Sequence, residues 1–311
     1  MTTIINPSLE LTANGAVALL DTVNQGFKVY ELPALTLQTE QHSYENVFGV
    51  TLSSSGTAVA VRTMTDELEV ITSSKRQSYQ LPWQREQIRA LAVADAGNQV
   101  ALLVVETTGA VGAGSNGRLE IWSLPPDDEP LASVPLPLYD YAALTANDDL
   151  STLTVYTATN LGNNQFSGVY IFTSADGQLT PLWTESGAEL THIHVTPYAD
   201  WVWAVQADGL TGWHGSDPPV TLPGTLREQL MFSPTGNHLL VYQVMEVTDM
   251  TTASILFRLF DLSSQQEIKR TTEVIEQYNM AHFALSEDLA LFAVWVTAAG
   301  QMTLSELAWA D

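Results

Sequence analysis

A four-element unit recurs about seven times along this 311-residue chain, and the repeat limits the possible folds more than any other feature. It is clearest in the sixth copy, where a short apolar run at Leu230–Phe232 is followed by the turn-forming residues Ser-Pro-Thr-Gly. Two further apolar runs follow at Leu239–Tyr242 and Leu256–Leu262, and then a more polar run at Glu267–Thr271. Gly, Asn and Asp tolerate the backbone of tight turns. Each copy therefore predicts a small antiparallel sheet of four strands.

The second and third runs of the unit differ in pattern. Most second runs are apolar at successive positions, as in Val100–Val105, which favours a strand covered on both faces. Third runs alternate, as in Leu119-Glu120-Ile121-Trp122, which predicts a strand with one more exposed face.

Seven units in this length average about 44 residues each, which is typical of four-stranded propeller blades. We therefore expect an all-β chain that forms one closed β-propeller domain over 1–311. The weak turn signal around Asn147-Asp148 in the fourth unit leaves six or eight blades as alternatives. Thr2–Asn6 is expected to complete the last blade as its fourth strand, because ring closure removes exposed edges. The expected blades span 8–41, 46–83, 87–137, 141–184, 190–223, 228–272 and 280–311 with 2–6.

Three of these segments resemble the seven-bladed WD40-type propellers. Phe232-Ser233-Pro234-Thr235-Gly236 is similar to that family's turn, and Leu119–Leu124 and Leu259–Leu262 are similar to its third-strand ending. The Gly-His dipeptide of the family is absent and its Trp-Asp ending is never complete, so its hydrogen-bonded tetrad is not carried over. The resemblance implies a scaffold that binds partners on its faces, without naming a partner.

Charge and cysteine content exclude several classes of function. The net charge of -24 arises from 35 acidic and 11 basic residues, and such a chain repels phosphate backbones, so no nucleic-acid partner is expected. The absence of Cys excludes disulfides, thiolate catalysis and Cys-based metal sites. The N-terminal residues lack the pattern of a secretion signal, and no segment approaches the ~20 apolar residues of a membrane span. These features predict a cytoplasmic protein without membrane contact.

Motifs for catalysis or cofactor binding are lacking in the sequence. There is no Gly-x-Ser-x-Gly elbow, no Ser-x-x-Lys pair and no phosphate-binding Gly-x-x-x-x-Gly-Lys. His192 and His194 stand two residues apart on one predicted strand, and His282 takes the matching place in its own unit. A metal would need further ligands from neighbouring strands, so buried or channel-lining histidines are the preferred interpretation. We expect a chain that is not an enzyme and that holds no cofactor or metal.

The linkers between units share an acidic and aromatic composition. In the expected fold they lie on the same face as the loops between second and third strands, three of which are long: Glu106–Arg118, Thr159–Gly168 and Val244–Ser254. A negative, partly aromatic mouth suits a Lys or Arg side chain. Alternatively, linkers are polar in any protein and the pattern has no function. The linker residues are Tyr44, Glu45, Trp83, Glu86, Tyr139, Asp140, Tyr141, Glu189, Glu228, Glu276 and Tyr278.

Together these features predict a non-catalytic scaffold for protein–protein interaction that binds a basic partner or peptide on its acidic loop face. Such a scaffold could be one subunit of a larger complex. Two alternatives stay open. A cytoplasmic propeller hydrolase, resembling the lactonase-like enzymes, would need carboxylates and His residues converging in a channel. A carbohydrate-binding propeller would use some of the eight Trp residues for stacking on sugars.

Overall fold

The computed structural model describes most of the chain. The predicted strand Thr2–Asn6 lies outside the described residues. The described residues are 8–11, 16–21, 26–32, 34, 36–41, 47–63, 67–84, 87–105, 115–138, 141–158, 167–175, 178–186, 191–195, 201–206, 209–214, 218–225, 228–233, 236–249, 251–278, 281–286, 288–296 and 302–310.

These residues form seven antiparallel sheets, A to G, in which the strands are paired in chain order. Six sheets have four strands, and sheet G has three within the described residues. The prediction of an all-β chain of four-stranded antiparallel sheets is confirmed. The first four sheets are A, with β1 (Ser8–Leu11), β2 (Ala16–Asp21), β3 (Gly26–Glu31) and β4 (Thr36–Gln41); B, with β5 (Val47–Leu52), β6 (Ala58–Thr63), β7 (Glu67–Thr72) and β8 (Arg76–Gln80); C, with β9 (Ile88–Val93), β10 (Gln99–Val105), β11 (Ser115–Ser123) and β12 (Ala132–Leu138); and D, with β13 (Tyr141–Ala146), β14 (Thr152–Ala158), β15 (Ser167–Ala175) and β16 (Gln178–Ser186). The other three are E, with β17 (Thr191–Val195), β18 (Trp201–Gln206), β19 (Gly209–His214) and β20 (Val220–Leu222); F, with β21 (Gln229–Phe232), β22 (His238–Val247), β23 (Thr252–Asp261) and β24 (Gln266–Glu276); and G, with β25 (His282–Leu285), β26 (Leu291–Val296) and β27 (Met302–Leu307).

The chain divides into two compact units. The central unit, 46–221, contains sheets B to E, and the terminal unit, 1–45 with 222–311, contains sheets A, F and G. Inside the central unit the first strands of successive sheets are neighbours: β9 contacts β5 and β13, and β13 contacts β17. None of the described residues forms a helix with the length and apolarity needed to cross a membrane.

Strand β10 shows why an unbroken apolar run was needed. Its even-numbered residues Val100, Leu102 and Val104 pack into a core shared with sheet B. The odd-numbered residues Ala101, Leu103 and Val105 pack into a second core shared with sheet D. Because successive side chains of a strand point to opposite faces, a strand between two sheets must be apolar at every position. The prediction of two-sided coverage is confirmed.

The third strands are more buried than their alternating pattern predicts. Glu120 in β11 is only 1% exposed, and its neighbours Leu119 and Ile121 are equally buried. Alternation between buried and exposed residues appears instead in fourth strands such as β12 and β24. The expectation of a more exposed face is therefore wrong for β11 and β19, whereas β3 and β27 expose residues such as Glu31 and Glu306. Buried polar residues of third strands such as Glu120 hold hydrogen-bond partners, as described below.

Five turns between first and second strands share one geometry. In each, a residue three places after the start of the turn donates its backbone N–H to the first residue's carbonyl and has a φ between 61° and 76°. Such a φ is in the left-handed region, where Gly is favoured. Gly occupies this position in sheets B, C and F, but Leu occupies it in sheets D and G. The five residues are Gly56, Gly97, Leu150, Gly236 and Leu289.

Sheet F has strands of very unequal length. β21 has four residues, whereas β22, β23 and β24 have ten, ten and eleven. The predicted loop Val244–Ser254 is therefore wrong over most of its length, because β22 runs on to Val247 and β23 begins at Thr252. The ladder continues to the pair Val247↔Ala253, with an irregularity at Met245. Three strands of sheet F thus extend beyond Gln229, the first residue of β21.

Candidate interaction surface

The linkers and the loops between second and third strands meet at one end of each sheet, which we call the linker end. In sheet C the backbone N–H of Val105, at the end of β10, donates to the carbonyl of Gln87 just before β9, at 2.9 Å. In sheet F the N–H of Tyr278, just after β24, donates to the carbonyl of Thr251 between β22 and β23, at 3.0 Å. This arrangement agrees with the placement predicted from the order of the strands.

Four of the eleven predicted linker residues have described side chains: Trp83, Glu228, Glu276 and Tyr278. The backbone of Tyr141 begins β13, but its side chain is not described. The remaining residues lie outside the described part of the chain: Tyr44, Glu45, Glu86, Tyr139, Asp140 and Glu189. Of the three long loops, 106–114 and 159–166 also lie outside it.

Trp83 connects a linker to the third strand of sheet C. Its Nε1 donates to Glu120 Oε2 at 2.8 Å, and the same oxygen accepts a bond from Trp122 Nε1 at 2.9 Å. The other oxygen of Glu120 lies 3.4 Å from Arg118 Nε. A buried carboxylate is tolerated only when its oxygens have such partners. Trp83 is half-buried against the core of sheets B and C, so its observed role is to fasten the linker to the sheet.

Glu228 serves the corresponding purpose in sheet F. It is 3% exposed and forms an ion pair with Arg258 in β23, which is 8% exposed. Arg258 also donates to the carbonyl of Pro223 at 3.1 Å, and Glu228 accepts a bond from Thr225 N–H at 2.8 Å. The carboxylate predicted to face a partner is thus turned inward, because Arg258 would otherwise be a buried charge without a counter-ion.

Two arginines stand at the linker end between sheets B and C. Arg62, near the end of β6, donates to the carbonyl of Ile88 at 3.2 Å, and Arg89 is the second residue of β9. Burial lowers the pKa of Arg62 below its usual value. These two arginines lie at the linker end of the central unit, where Arg62 binds the backbone of β9.

A cleft of about 300 Å³ opens in the terminal unit, between the end of β24 and the face of sheet G. Four consecutive residues of sheet F, 274–277, form one wall. The opposite wall consists of Ala293 and Trp295 in β26 with Ser305 and Leu307 in β27. The predicted residue Glu276 is exposed and borders this cleft. A surface of mixed polarity with one aromatic ring and a carboxylate can bind an aliphatic chain that ends in a cation.

Charge around the cleft is negative. The sequence has no Lys or Arg from 271 to 311, and none between Arg227 and Arg258. Glu273 is half-buried in the same stretch of β24, and Glu246 is exposed at the end of β22. Tyr278, another predicted residue, is half-buried and packs against the core of sheets F and G. Glu276 and Tyr278 thus lie close together at the end of β24. Trp83 and Glu228 instead make contacts that hold their linkers to sheets C and F.

Of the three histidines considered from the sequence, only His282 has a described side chain. The backbones of His192 and His194 lie in β17, but their side chains are not described. His282 is half-buried at the start of β25, and burial lowers its pKa below the usual value. No three His, Asp or Glu side chains within the described residues are arranged to hold a metal ion.

Acidic residues also meet at the opposite end of the central unit. The backbone N–H of Asp95 donates to the carbonyl of Asp148 at 2.8 Å, which links the turns of sheets C and D. Asp95 also accepts a bond from Ser55 N–H, in the turn of sheet B, at 3.2 Å. Burial, and then the charges of Asp149 and Asp95, raise the pKa of Asp148. These contacts connect neighbouring turns.

Comparison with known proteins identifies a shared fold and no family. The chain is similar to a structure described as the eukaryotic initiation factor, with a TM-score of 0.54, 14% identity and coverage of 96% of this chain and 78% of that one. It is similar to a functionally unknown protein from Desulfotomaculum acetoxidans DSM 771, with a TM-score of 0.54, 13% identity and coverage of 95% of both chains. No protein-family model and no curated protein matches the sequence.

Apart from Glu276, none of the cleft residues was predicted as functional. Trp295 lies inside an apolar run, and Trp residues in strands usually pack in cores, so the sequence does not single it out. Val274 carries no chemical signal in the sequence, yet it is 68% exposed. The one feature that could have indicated this surface is an exposed apolar residue, Val274, two positions before Glu276 in the same strand.

Proposed function

We propose that the chain is a WD40-like β-propeller of seven blades, and that it acts as a non-catalytic scaffold for a basic protein or peptide. The seven sheets would be the blades of one closed ring, with Thr2–Asn6 as the fourth strand of sheet G. Closure is supported by sheets B to E, which pack in chain order through their first strands.

The cleft beside Glu276 is the observation on which the functional proposal rests. It combines a carboxylate, an indole ring and apolar side chains such as Val274 and Leu307, in a stretch of chain without cations. A Lys or Arg side chain gains from the carboxylate by charge and from the ring by cation–π contact, while its stem covers the apolar wall. We place the basic partner on the terminal unit, because the cleft beside Glu276 lies there.

The binding proposal is tested by affinity capture from lysate of the native organism, with bound proteins identified by mass spectrometry. The wild type is compared with Glu276→Lys and with the matched control Glu306→Lys. Glu306 is also exposed, but it stands in β27 between the cleft residues Ser305 and Leu307 and does not line the cleft. We expect a basic partner that the wild type and Glu306→Lys retain and that Glu276→Lys loses. Identical capture by all three proteins would contradict the proposal, as would turnover of lactones or binding of glycans by the purified protein.

Closure of the ring is tested separately by small-angle X-ray scattering. A single compact body of this length has a radius of gyration of about 20 Å. A clearly larger value, with the scattering of two separate bodies, would contradict a closed propeller without bearing on the cleft.

A further inference from the structure

β24 is the outermost strand of sheet F, and it is long. It spans eleven residues and pairs with β23 on one side only in the strand order of the sheet. In an antiparallel edge strand, alternate residues direct their N–H and C=O groups away from the sheet. Such an edge is a template for a further strand unless it is shortened, charged or covered.

The two halves of β24 differ in how this edge is protected. The first half carries Lys269 and Arg270. Lys269 Nζ lies 5.5 Å from the centre of the Trp309 ring, and Arg270 is paired with Glu267 at 2.6 Å. Charged side chains on an edge strand oppose the addition of another strand. The first half is thus both charged and partly covered by the C-terminal residues of the chain.

The second half, Thr271–Glu276, carries only negative charge, which opposes an acidic strand but attracts a basic one. It contains no cation, and its two ionisable residues are Glu273 and Glu276. Val274 is 68% exposed, which is the highest exposure among the large apolar residues described. We call Thr271–Glu276 the open half of β24.

The open half runs along the cleft. The cleft is lined by four consecutive residues, Val274, Ile275, Glu276 and Gln277. Side chains from only one face of a strand would be alternate residues, so we infer that the backbone itself borders the cleft. The far wall offers Trp295 and Leu307. A strand placed along the open half would therefore direct side chains towards an apolar wall and towards two carboxylates.

Building on the proposed function, we infer that an extended basic segment of the partner adds to the open half of β24 as a fifth strand of sheet F. Main-chain hydrogen bonds would supply much of the affinity, and alternate Lys or Arg side chains would supply selectivity at Glu273 and Glu276. A second copy of this chain is disfavoured as occupant, because it would bring an equally acidic edge in a molecule with net charge -24.

Synthetic peptides test strand addition directly. The probe is a labelled peptide of alternating Val and Lys or Arg, six residues long. Two derivatives carry backbone N-methyl groups, either on the valines or on the basic residues. In an added strand only alternate residues bond to β24, so one derivative should lose binding and the other should keep it. We also expect slower hydrogen exchange within 271–276 when the parent peptide is bound.

Two protein variants locate the edge. Val274→Lys places a charge on the open half and should weaken binding of the parent peptide about tenfold or more. Ile268→Lys is the matched control, because Ile268 is an exposed apolar residue of the first half, 44% exposed. Both side chains are exposed, so both variants should unfold at the urea concentration of the wild type.

Several results would overturn the inference: no binding of the parent peptide, equal binding of both methylated derivatives, or equal weakening by the two Lys variants. A wild-type dimer in sedimentation that Val274→Lys abolishes would identify a second copy as the occupant and also overturn it. If Glu276→Lys still loses the captured partner, the proposed scaffold stands and only the strand-addition mode is wrong. If Glu276→Lys changes neither capture nor peptide binding, both proposals fail.

Discussion

Sheets C and F are held to their linkers at the same position, but with opposite charges. Glu120 in β11 lies across from Leu102, and Arg258 in β23 lies across from Val241, which is the equivalent residue of its sheet. Trp83 donates to the first, and Glu228 pairs with the second. In these two sheets the position holds a buried polar group that reaches the linker, and the repeat does not determine its sign.

The two sheets differ beyond this position. The strands of sheet C are six to nine residues long and lie between two cores. In sheet F, three strands are longer than β21 and expose Val247 and Val274. Sheet C is thus built for packing on both faces. Sheet F uses the same scheme for packing and adds an exposed edge, which is where we place the partner.

The largest expected effect is the loss of the buried ion pair in sheet F. Arg258→Met should destabilise the fold by about 3–5 kcal/mol, because Glu228 stays buried as an uncompensated charge. Glu120→Gln in sheet C should cost only about 1–2 kcal/mol, because an amide oxygen still accepts from an indole N–H. Urea denaturation measures both. Equal losses would show that the two positions are energetically alike.

Core packing provides the next comparison. Leu102 is fully buried in sheet C, and Leu102→Ala should cost about 2–5 kcal/mol through lost contacts and a cavity. Val247 in sheet F is 51% exposed, so Val247→Ala should change stability by no more than about 0.5 kcal/mol. A large loss in the Val247 variant would mean that the extension of sheet F is a packed element, contrary to its proposed role.

A smaller effect is expected at the turn of sheet C. Gly97 has a φ of 61°, and an added Cβ would lie 2.7 Å from Thr72 Cγ2. Gly97→Ala should therefore cost about 1–2 kcal/mol from the left-handed backbone alone. Thermal unfolding of Gly97→Ala and Gly97→Asn distinguishes the causes, because Asn tolerates this backbone and should restore part of the loss.

The smallest effect is a pH dependence at His282. Because burial lowers its pKa in the folded chain, the unfolded chain binds the proton first as the pH falls below the usual value of 6.5. The stabilisation is fully present above that value and is lost as the pH falls from it towards the folded-state pKa. Urea midpoints measured between about pH 7.5 and 5.5 should fall more for the wild type than for His282→Gln. Parallel curves would exclude a contribution from His282.

Much of the fold could be predicted because its signals are local. An apolar run such as Val100–Val105 specifies a strand between two sheets, and Ser or Gly at fixed places specifies the turns. The fourth unit had the weakest signal, and the structure explains why. Asn147 replaces Ser as the turn residue and bonds Thr152 N–H through its side chain at 2.9 Å, while Leu150 takes the backbone usually reserved for Gly. Burial of Leu150 in the core holds it there.

The site was less predictable, because it depends on which polar groups find partners within the fold. Glu228 and Glu276 both appear in the sequence as linker carboxylates, but only the structure places Arg258 beside the first and leaves the second exposed. Trp295 is a comparable case. Its apolar run predicts a core strand, and the cleft in front of it is formed by the neighbouring sheet.

The sequence by itself thus determined the order of the described strands and their grouping into small antiparallel sheets, because hydrophobic period and turn chemistry act over a few residues. The tertiary structure decided which charges are buried, how far β22 to β24 extend and which half of β24 is left open. These depend on contacts between residues thirty or more positions apart, such as Glu228 with Arg258 or Lys269 with Trp309, and no local pattern in the chain records them.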